Sequence, residues 1–406
     1  MRTPLAWKNL VHNKVRTLVA LAGVGFAVIL IFMQLGFKGA VRKTATQIYD
    51  ELDFDLLLRS PAYLHLTEPR TFPRQRVYQA ASHPDVRGAA PFYLGLTEWQ
   101  APQPENAHPE AWEGDWRGII VMGVDPVTPP FRREDIRAAA AQLTDARYVL
   151  VDVKSKPEFG PRDGERFGPS DIGVETVLGR DRVRIVGVFE LGTGLAANGA
   201  SMTNLDGFAS ACYWQPLEEV NFGLVKLSQD ADVDVVKGQL QNLLGPLDDE
   251  PTSLSVGNAD VEVLTRAEVN AREEYRWVSQ TPLGKIFNLG VWVALFVGVA
   301  IVYQVLSTDI SNMMGEYATL KAMGYDNKYL TSVVLQQSVL LALIGYVPSL
   351  LISWGLYVYI ARLSGLPMKM TVATAGLVLG LSVVMCTASG IAALRKLFQA
   401  DPADLF

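Results

Sequence analysis

The chain has 406 residues, a formal net charge of −6 and a mean hydropathy of +0.17. This balance offers no basic field for nucleic acid. Its two cysteines, Cys212 and Cys386, fall in a polar and an apolar region respectively, which excludes a disulfide scaffold.

The apolar residues are gathered into four segments free of charge: 17–37, 286–306, 333–360 and 371–394. A helix rises about 1.5 Å per residue, so about 20 residues cross a hydrocarbon core of about 30 Å. All four segments are long enough. The expected fold is a membrane protein with four transmembrane helices in a 1 + 3 arrangement. A large α+β extracytoplasmic domain at 38–285 separates the first from the rest and is carried on two helical stalks.

In chain order, residues 1–16 predict a surface helix in the cytoplasmic interface. Thr3 is its N-cap and Pro4 its first helical position. Trp7, Leu10, Val11, Val15 and Leu18 share one face, and Lys8, His12 and Arg16 the other. The first span is too long for a signal-peptide core, and Gly36-Phe37-Lys38 gives no small-residue cleavage site, so a retained anchor is expected. Beyond it Val41, Ala45, Ile48 and Leu52 keep one helical face, predicting a stalk over 38–52.

Between the stalks, short β-rich runs lie at 54–58, 118–124, 147–153 and 222–227. Residues 175–189 read as a hairpin turning near Gly179-Arg180-Asp181. Residues 222–264 read as strand, helix from about Asp232 to Leu244, then strand VEVL. The Pro-, Glu- and Trp-containing stretch 101–116 reads as a surface loop. Thr265-Arg266-Ala267-Glu268 fits a capping box, opening a second stalk over 265–280, with Pro282 and Gly284 marking a break before the membrane.

Orientation follows from basic residues in the short loops. Arg2, Lys8, Lys14 and Arg16 precede the first span, Lys321 and Lys328 lie in the connector 307–332, and Arg395 and Lys396 open the tail 395–406. The short loop 361–370 on the other side has Arg362 and Lys369, and Lys38, Arg42 and Lys43 dilute the contrast. Both termini and the 307–332 connector are expected in the cytoplasm, with the large domain outside.

Catalytic patterns are missing from the sequence. It has no G-x-x-x-x-G-K-[ST], H-E-x-x-H, C-x-x-C or G-x-S-x-G motif. Its histidines, His12, His65, His83 and His108, are scattered, so neither a metal nor a cofactor is expected in this chain. The spans hold no Asp, Glu, Lys, Arg or His, unlike ion-coupled transporters. Gln34, Asn288, Gln304, Gln336 and Gln337 are expected to hydrogen-bond within the bundle, and Ala294/Gly298 and Gly376/Gly380 to let helices approach closely.

The connector contains EYATLKAMG at 316–324. In a helical reading Tyr317, Leu320 and Met323 lie near one face, with Glu316 and Lys321 towards other sides and Gly324 as the C-terminal stop. Periodicity alone favours a plain interfacial connector; the alternative is a docking knob for a cytoplasmic partner.

Taken in order, several stretches resemble the permeases of the MacB/FtsX/LolCE class of ABC transporters, and in detail the DevC type. They are 15–40, FPRQRVYQA at 72–80, EFGP at 158–161, 222–240, TPLGKIFNLGV at 281–291, 301–325 and the tail 393–406. The resemblance covers nearly the whole chain, with 101–116 matching least. It implies that Glu316, Tyr317, Leu320, Lys321, Met323 and Gly324 form a helix that docks on a separate cytoplasmic ATPase carrying the ATP and Mg. It implies a homodimer of this chain in a bacterial inner membrane, and stalk and hinge positions at Val41, Ala45, Ile48, Leu52, Thr265, Glu268, Pro282 and Gly284. In DevC-type systems a periplasmic adaptor and a TolC-like outer-membrane duct complete a pump for glycolipid. The alternatives are an FtsX-like regulator of a cell-wall hydrolase and a membrane receptor without an ATPase.

Overall fold

A computed structural model describes residues 14–102, 115–192, 197–245, 260–312, 315, 323, 327–364 and 366–399. The chain divides into two compact units, Met1–Arg42 with Val278–Phe406, and Lys43–Trp277. Helix α1, Lys14–Glu51, contributes to both. Its 38 residues make it about 57 Å long, far more than a hydrocarbon core needs.

The inserted unit is built on nine strands. They are β1 (Leu56–Arg59), β3 (Val86–Gln100), β4 (Trp116–Gly123), β5 (Tyr148–Asp152), β6 (Glu175–Leu178), β7 (Asp181–Phe189), β8 (Ala200–Thr203), β10 (Phe222–Leu227) and β11 (Glu262–Thr265). Two short strands, β2 (Phe72–Pro73) and β9 (Glu219–Val220), pair separately. The order is β11-β1-β10-β3-β4-β8-β5-β7-β6, and β6 returns to pair with β3. Six strands, β3-β4-β8-β5-β7-β6, therefore close into a barrel, and β11-β1-β10 extend from β3 as an open sheet. Closure is narrow, since β3 and β6 pair only at Trp99↔Leu178 and Gln100↔Val177.

Strand alternation sorts the side chains into two cores. Leu56, Leu58, Trp99, Ile119, Val121, Val149, Val151, Val183 and Ile185 enter one, and Leu57, Phe92, Leu94, Ile120, Met122 and Leu150 the other. Helices α2 (Gln75–Ala81) and α5 (Val233–Leu244) cover the first core through Val77, Ala80, Val236 and Leu240. Helix α3 (Glu134–Ala140) covers the second through Ile136, Ala139 and Ala140, while α4 (Leu205–Ala211) returns to the first through Phe208. Asp232 caps α5, its side chain accepting from the Asp234 and Val235 amides. The β6–β7 hairpin turns at Gly179-Arg180, and Gly179 has φ 64, a conformation glycine adopts without Cβ strain.

Strand β3 lies outside the β-rich runs read from the sequence. Gly88, Pro91 and Gly95 look like breakers. Pro91, however, sits where β3 is handed from one partner to the next. Residues up to Phe92 pair with β10, and residues from Tyr93 pair with β4. A proline there breaks no second ladder.

Helix α6, Arg266–Tyr275, follows β11 and leads into a π-turn at Arg276–Gln280. The second stalk is thus helical to Gln280, with its last five residues wound as π-helix. The proline at 282 disfavours helical backbone at the residue before it, and the next helix restarts at Pro282 itself.

The other unit contains the first part of α1 with α7 (Pro282–Asn312), α8 (Asn327–Ser364) and α9 (Val372–Gln399). Each of the four helices has a stretch long and apolar enough to cross a membrane: Thr17–Glu51, Pro282–Asn312, Thr331–Ser364 and Val372–Leu394. Small residues set the seam between α1, α7 and α9. A Cβ on Gly298 would strike the Met385 sulfur and come within 2.8 Å of the Ala27 Cβ. On Gly23 it would strike Ile301, and on Gly290 it would strike Gln34. Gly376 and Gly380 do not serve as expected, because a Cβ at either meets nothing within 4 Å. Among the described residues, no helix packs closely against these two positions of α9.

Of the polar groups in the spans, Asn288 accepts from the Lys38 ammonium at 2.8 Å and Gln336 donates to the Ser332 hydroxyl at 3.1 Å. Tyr357 on α8 donates to the Phe32 carbonyl of α1. Gly298→Leu is expected to destabilise this unit by about 1–3 kcal/mol through overpacking. Thermal unfolding in detergent would show it, and an unchanged transition would mean that the seam is not tightly packed.

Candidate functional site

The site that links the expected stalks is the junction where the end of α1 meets α6. Ala45, Ile48 and Leu52 on the first leg are buried at 3%, 1% and 0% exposure. Ile48 and Leu52 pack with Tyr49, Phe54 and Val269 in the second core. The last turns of α1 therefore belong to the domain core and are not a free strut. Val41 is also buried, but lies in the other unit.

On the second leg, the Thr265 hydroxyl accepts from the Glu268 amide at 3.2 Å, and the Glu268 carboxylate accepts from the Thr265 amide at 2.8 Å. This reciprocal pair satisfies two of the donors that a helix start leaves open. Glu268 also takes the Lys237 ammonium at 2.5 Å. Against the opposing effect of partial burial, these bonds hold the Glu268 carboxyl below its ordinary range.

The residue beside this cap joins the legs. Arg266 donates to the Tyr49 carbonyl at 2.5 Å and to the Leu52 and Phe54 carbonyls at 2.8 and 2.6 Å. Its guanidinium also lies 3.9 Å from the centre of the Phe54 ring. The last carbonyls of a helix have no intrahelical partner and carry the negative end of its dipole. A rigid fork of N–H donors from the second leg fills that need in the first. Asn270 adds a bond to Asp50 at 3.3 Å, and Asp50 in turn holds Lys43 at 2.5 Å.

Beneath lies a buried ionic cluster. Arg59 at the end of β1 reaches Glu262 on β11 at 2.6 Å and Glu273 on α6 at 3.3 Å. Glu262 also takes Arg272 at 2.7 Å. The side chains of Arg59 and Glu273 are 6% and 1% exposed. Tyr63 stacks under the Arg59 guanidinium at 4.2 Å and shares a 3.0 Å hydrogen bond with Tyr49. Burial pushes the Glu273 carboxyl above its ordinary range, against the pull of the Tyr63 hydroxyl and Arg59. Its Oε2 has no hydrogen-bond partner among the described residues.

Pro282 begins α7, and a Cβ on Gly284 would run into the Val278 carbonyl, so only glycine fits this return of the chain. Of the connector, Gly315 is helical and exposed, and Met323 lies in a turn at 63% exposure. Glu316, Tyr317, Leu320, Lys321 and Gly324 lie outside the described residues. The structure thus brings Ile48, Leu52, Thr265 and Glu268 into one domain and leaves the connector apart from them in sequence. Sequence reasoning missed Arg59, Glu262, Arg266 and Glu273. The available signal was charge inside strands otherwise written LLLR and EVLT, all of whose charged members are buried. Among the described residues no cluster of His, Cys, Asp and Glu could hold a metal.

Residues 288–402 match the FtsX-like permease C-terminal family. This segment is similar to the FtsX-like permease C-terminal domain. It takes in most of α7, the whole connector, α8 and α9. No curated protein sequence matches. Two solved structures are similar at low identity. The periplasmic region of MacB from Actinobacillus actinomycetemcomitans is 11% identical with a TM-score of 0.35, over 57% of this chain and 98% of that one. The extracellular domain of the noncanonic ABC-type transporter YknZ from Gram-positive bacteria is 10% identical with a TM-score of 0.30, over 53% and 98%.

Proposed function

We propose that the chain is the non-catalytic permease subunit of a DevC-type export pump, relaying ATP-driven motion of a separate ATPase to its inserted domain. The observation that carries this reading is the FtsX-like match, because it spans the connector between α7 and α8. In this reading the connector and both termini are cytoplasmic, and the inserted domain lies in the periplasm of a bacterial inner membrane. Glu316, Tyr317, Leu320, Lys321 and Met323 contact the ATPase, with Gly324 ending the docking helix. ATP and Mg belong to that partner.

Two copies of the chain move together, and a periplasmic adaptor and a TolC-like duct carry the cargo, a lipid or glycolipid, outward. The leg junction supports a mechanical role. Arg266 ties the end of α1 to the start of α6, so a push on either leg is shared by both. A switch between two leg arrangements from 1:99 to 99:1 requires about 5.5 kcal/mol of differential ATPase binding.

The test is co-purification from native membranes in mild detergent, with wild type beside Tyr317→Ala/Leu320→Ala/Met323→Ala. The expected result is an ATPase that accompanies the wild type and is lost from a variant with unchanged thermal unfolding. An ATPase retained by the variant removes the docking assignment. Absence of any ATPase from both would overturn the permease reading and leave a receptor.

A further inference from the structure

The outer wall of the barrel carries a row of arginines that the leg junction does not use. Arg182 and Arg184 lie on β7 between inward-facing Val183 and Ile185, and Arg180 occupies the hairpin turn just before them. All three are exposed. None forms an ion pair among the described residues, where a pair is an N–O separation within 4.0 Å. They share this with exposed Arg87 and Arg166 but not with other arginines at the surface of the same domain. Arg117, Arg133, Arg137 and Arg147 each hold a nearby carboxylate.

At the turn end the row meets an aromatic platform. Tyr213 and Trp214 are 56% and 52% exposed, and their rings pack edge to face with centroids 5.1 Å apart. The Arg180 guanidinium lies 3.6 Å from the centre of the Tyr213 ring. Exposed Tyr, Trp and Arg are the side chains that anchor protein interfaces. Here the rings are already held in one arrangement, so little ordering is left for a partner to impose.

We propose that Arg180, Arg182 and Arg184, with the Tyr213–Trp214 platform, form a docking surface for a second protein that presents an extended segment with Asp or Glu at alternate positions. Alternate residues of a strand stand about 7 Å apart, so the carboxylates of such a segment repeat at the pitch of the arginines. Guanidinium groups take carboxylates in two-pronged hydrogen bonds. Two acids flank the row: Glu175, across from Arg184 in the ladder, and Asp181, which accepts from the Ser210 hydroxyl. They disfavour a continuous anionic bilayer over a single acidic segment whose register avoids them. The surface lies wholly in the inserted domain and does not depend on the ATPase coupling proposed above.

The test replaces Tyr213 with a photoreactive phenylalanine analogue in the full chain in cells, with Val127, 84% exposed on the same domain, as the control position. The expected result is a cross-link from position 213 to an acidic peptide of one protein. Its yield falls at least tenfold in Arg182→Glu/Arg184→Glu, falls less in Arg182→Gln/Arg184→Gln, and returns when the acids of the cross-linked peptide are changed to Arg. Four outcomes overturn the proposal: a yield untouched by charge reversal, a cross-link to lipid, an equal yield from position 127, or no cross-link. ATPase co-purification from the same membranes reports separately on the permease reading, and unchanged thermal unfolding confirms that the charge variants fold.

Discussion

Replacing Arg59 by methionine is expected to cost the inserted domain about 3–5 kcal/mol at pH 8, because it leaves a carboxylate buried without its cation. Glu262 keeps Arg272 at 2.7 Å, so the loss falls on Glu273, whose side chain is 1% exposed. The loss should depend on pH. Burial already raises the folded-state pKa of Glu273 above its ordinary 4.5, and removing Arg59 takes away one of the groups pulling it down. Below 4.5 both folded and unfolded chains are protonated, and the group contributes no difference. As pH rises from 4.5 through the raised folded value, the unfolded chain loses its proton first. Stability therefore falls across that window.

The Arg59→Met cost should accordingly be smaller at pH 5 than at pH 8, and adding Glu273→Gln should flatten the difference. Urea unfolding followed by tryptophan fluorescence at the two pH values would measure both effects. A cost of the same size at pH 5 and pH 8 in Arg59→Met would show that Glu273 is not the group left unpaired.

Arg266→Ala is expected to cost about 3 kcal/mol, from three charge-assisted bonds to carbonyls that are left without another donor. Charge alone should not suffice. Arg266→Lys keeps the cation near the helix end, but an ammonium on a flexible stem lacks the planar fork that spans the Tyr49, Leu52 and Phe54 carbonyls. Lysine should recover less than half of the loss. Hydrogen exchange adds a local readout: amides at the end of α1 and the start of β1 should exchange faster in the alanine variant than those of the barrel strands. Uniform acceleration across the domain would mean that Arg266 stabilises the fold without acting as a link between the legs.

The elements that were legible in the sequence are those whose local chemistry agrees with their tertiary place. The strand at 222–227, the Asp232-capped helix and the Thr265–Glu268 box all follow from side chains within a few residues of one another. Helices α2, α3 and α4 escaped notice because seven residues make only two turns, too few to establish a period. The fold class, four apolar helices with one inserted α+β domain between the first and second, was readable from length and hydropathy. Barrel closure was not, since it rests on β6 meeting a strand about 80 residues earlier at two positions. The leg junction was hidden for the same reason. Arg59 finds Glu262 and Glu273 at separations of 203 and 214 residues, and no spacing rule spans that distance.

Strand β3 belongs to two ladders at once. Its 15 residues run about 50 Å, first as a member of the open sheet and then as a stave of the barrel. The two ladders use successive stretches of one continuous strand, and the first core packs Leu56 and Val225 of the open sheet with Val121 and Val149 of the barrel, so losing either assembly strips the core of the other. The inserted domain should therefore open only as a whole, with one cooperative transition and no half-unfolded form. A protease attacking it would find its exposed loops cleavable at any time, but its strands only at the rate of complete unfolding.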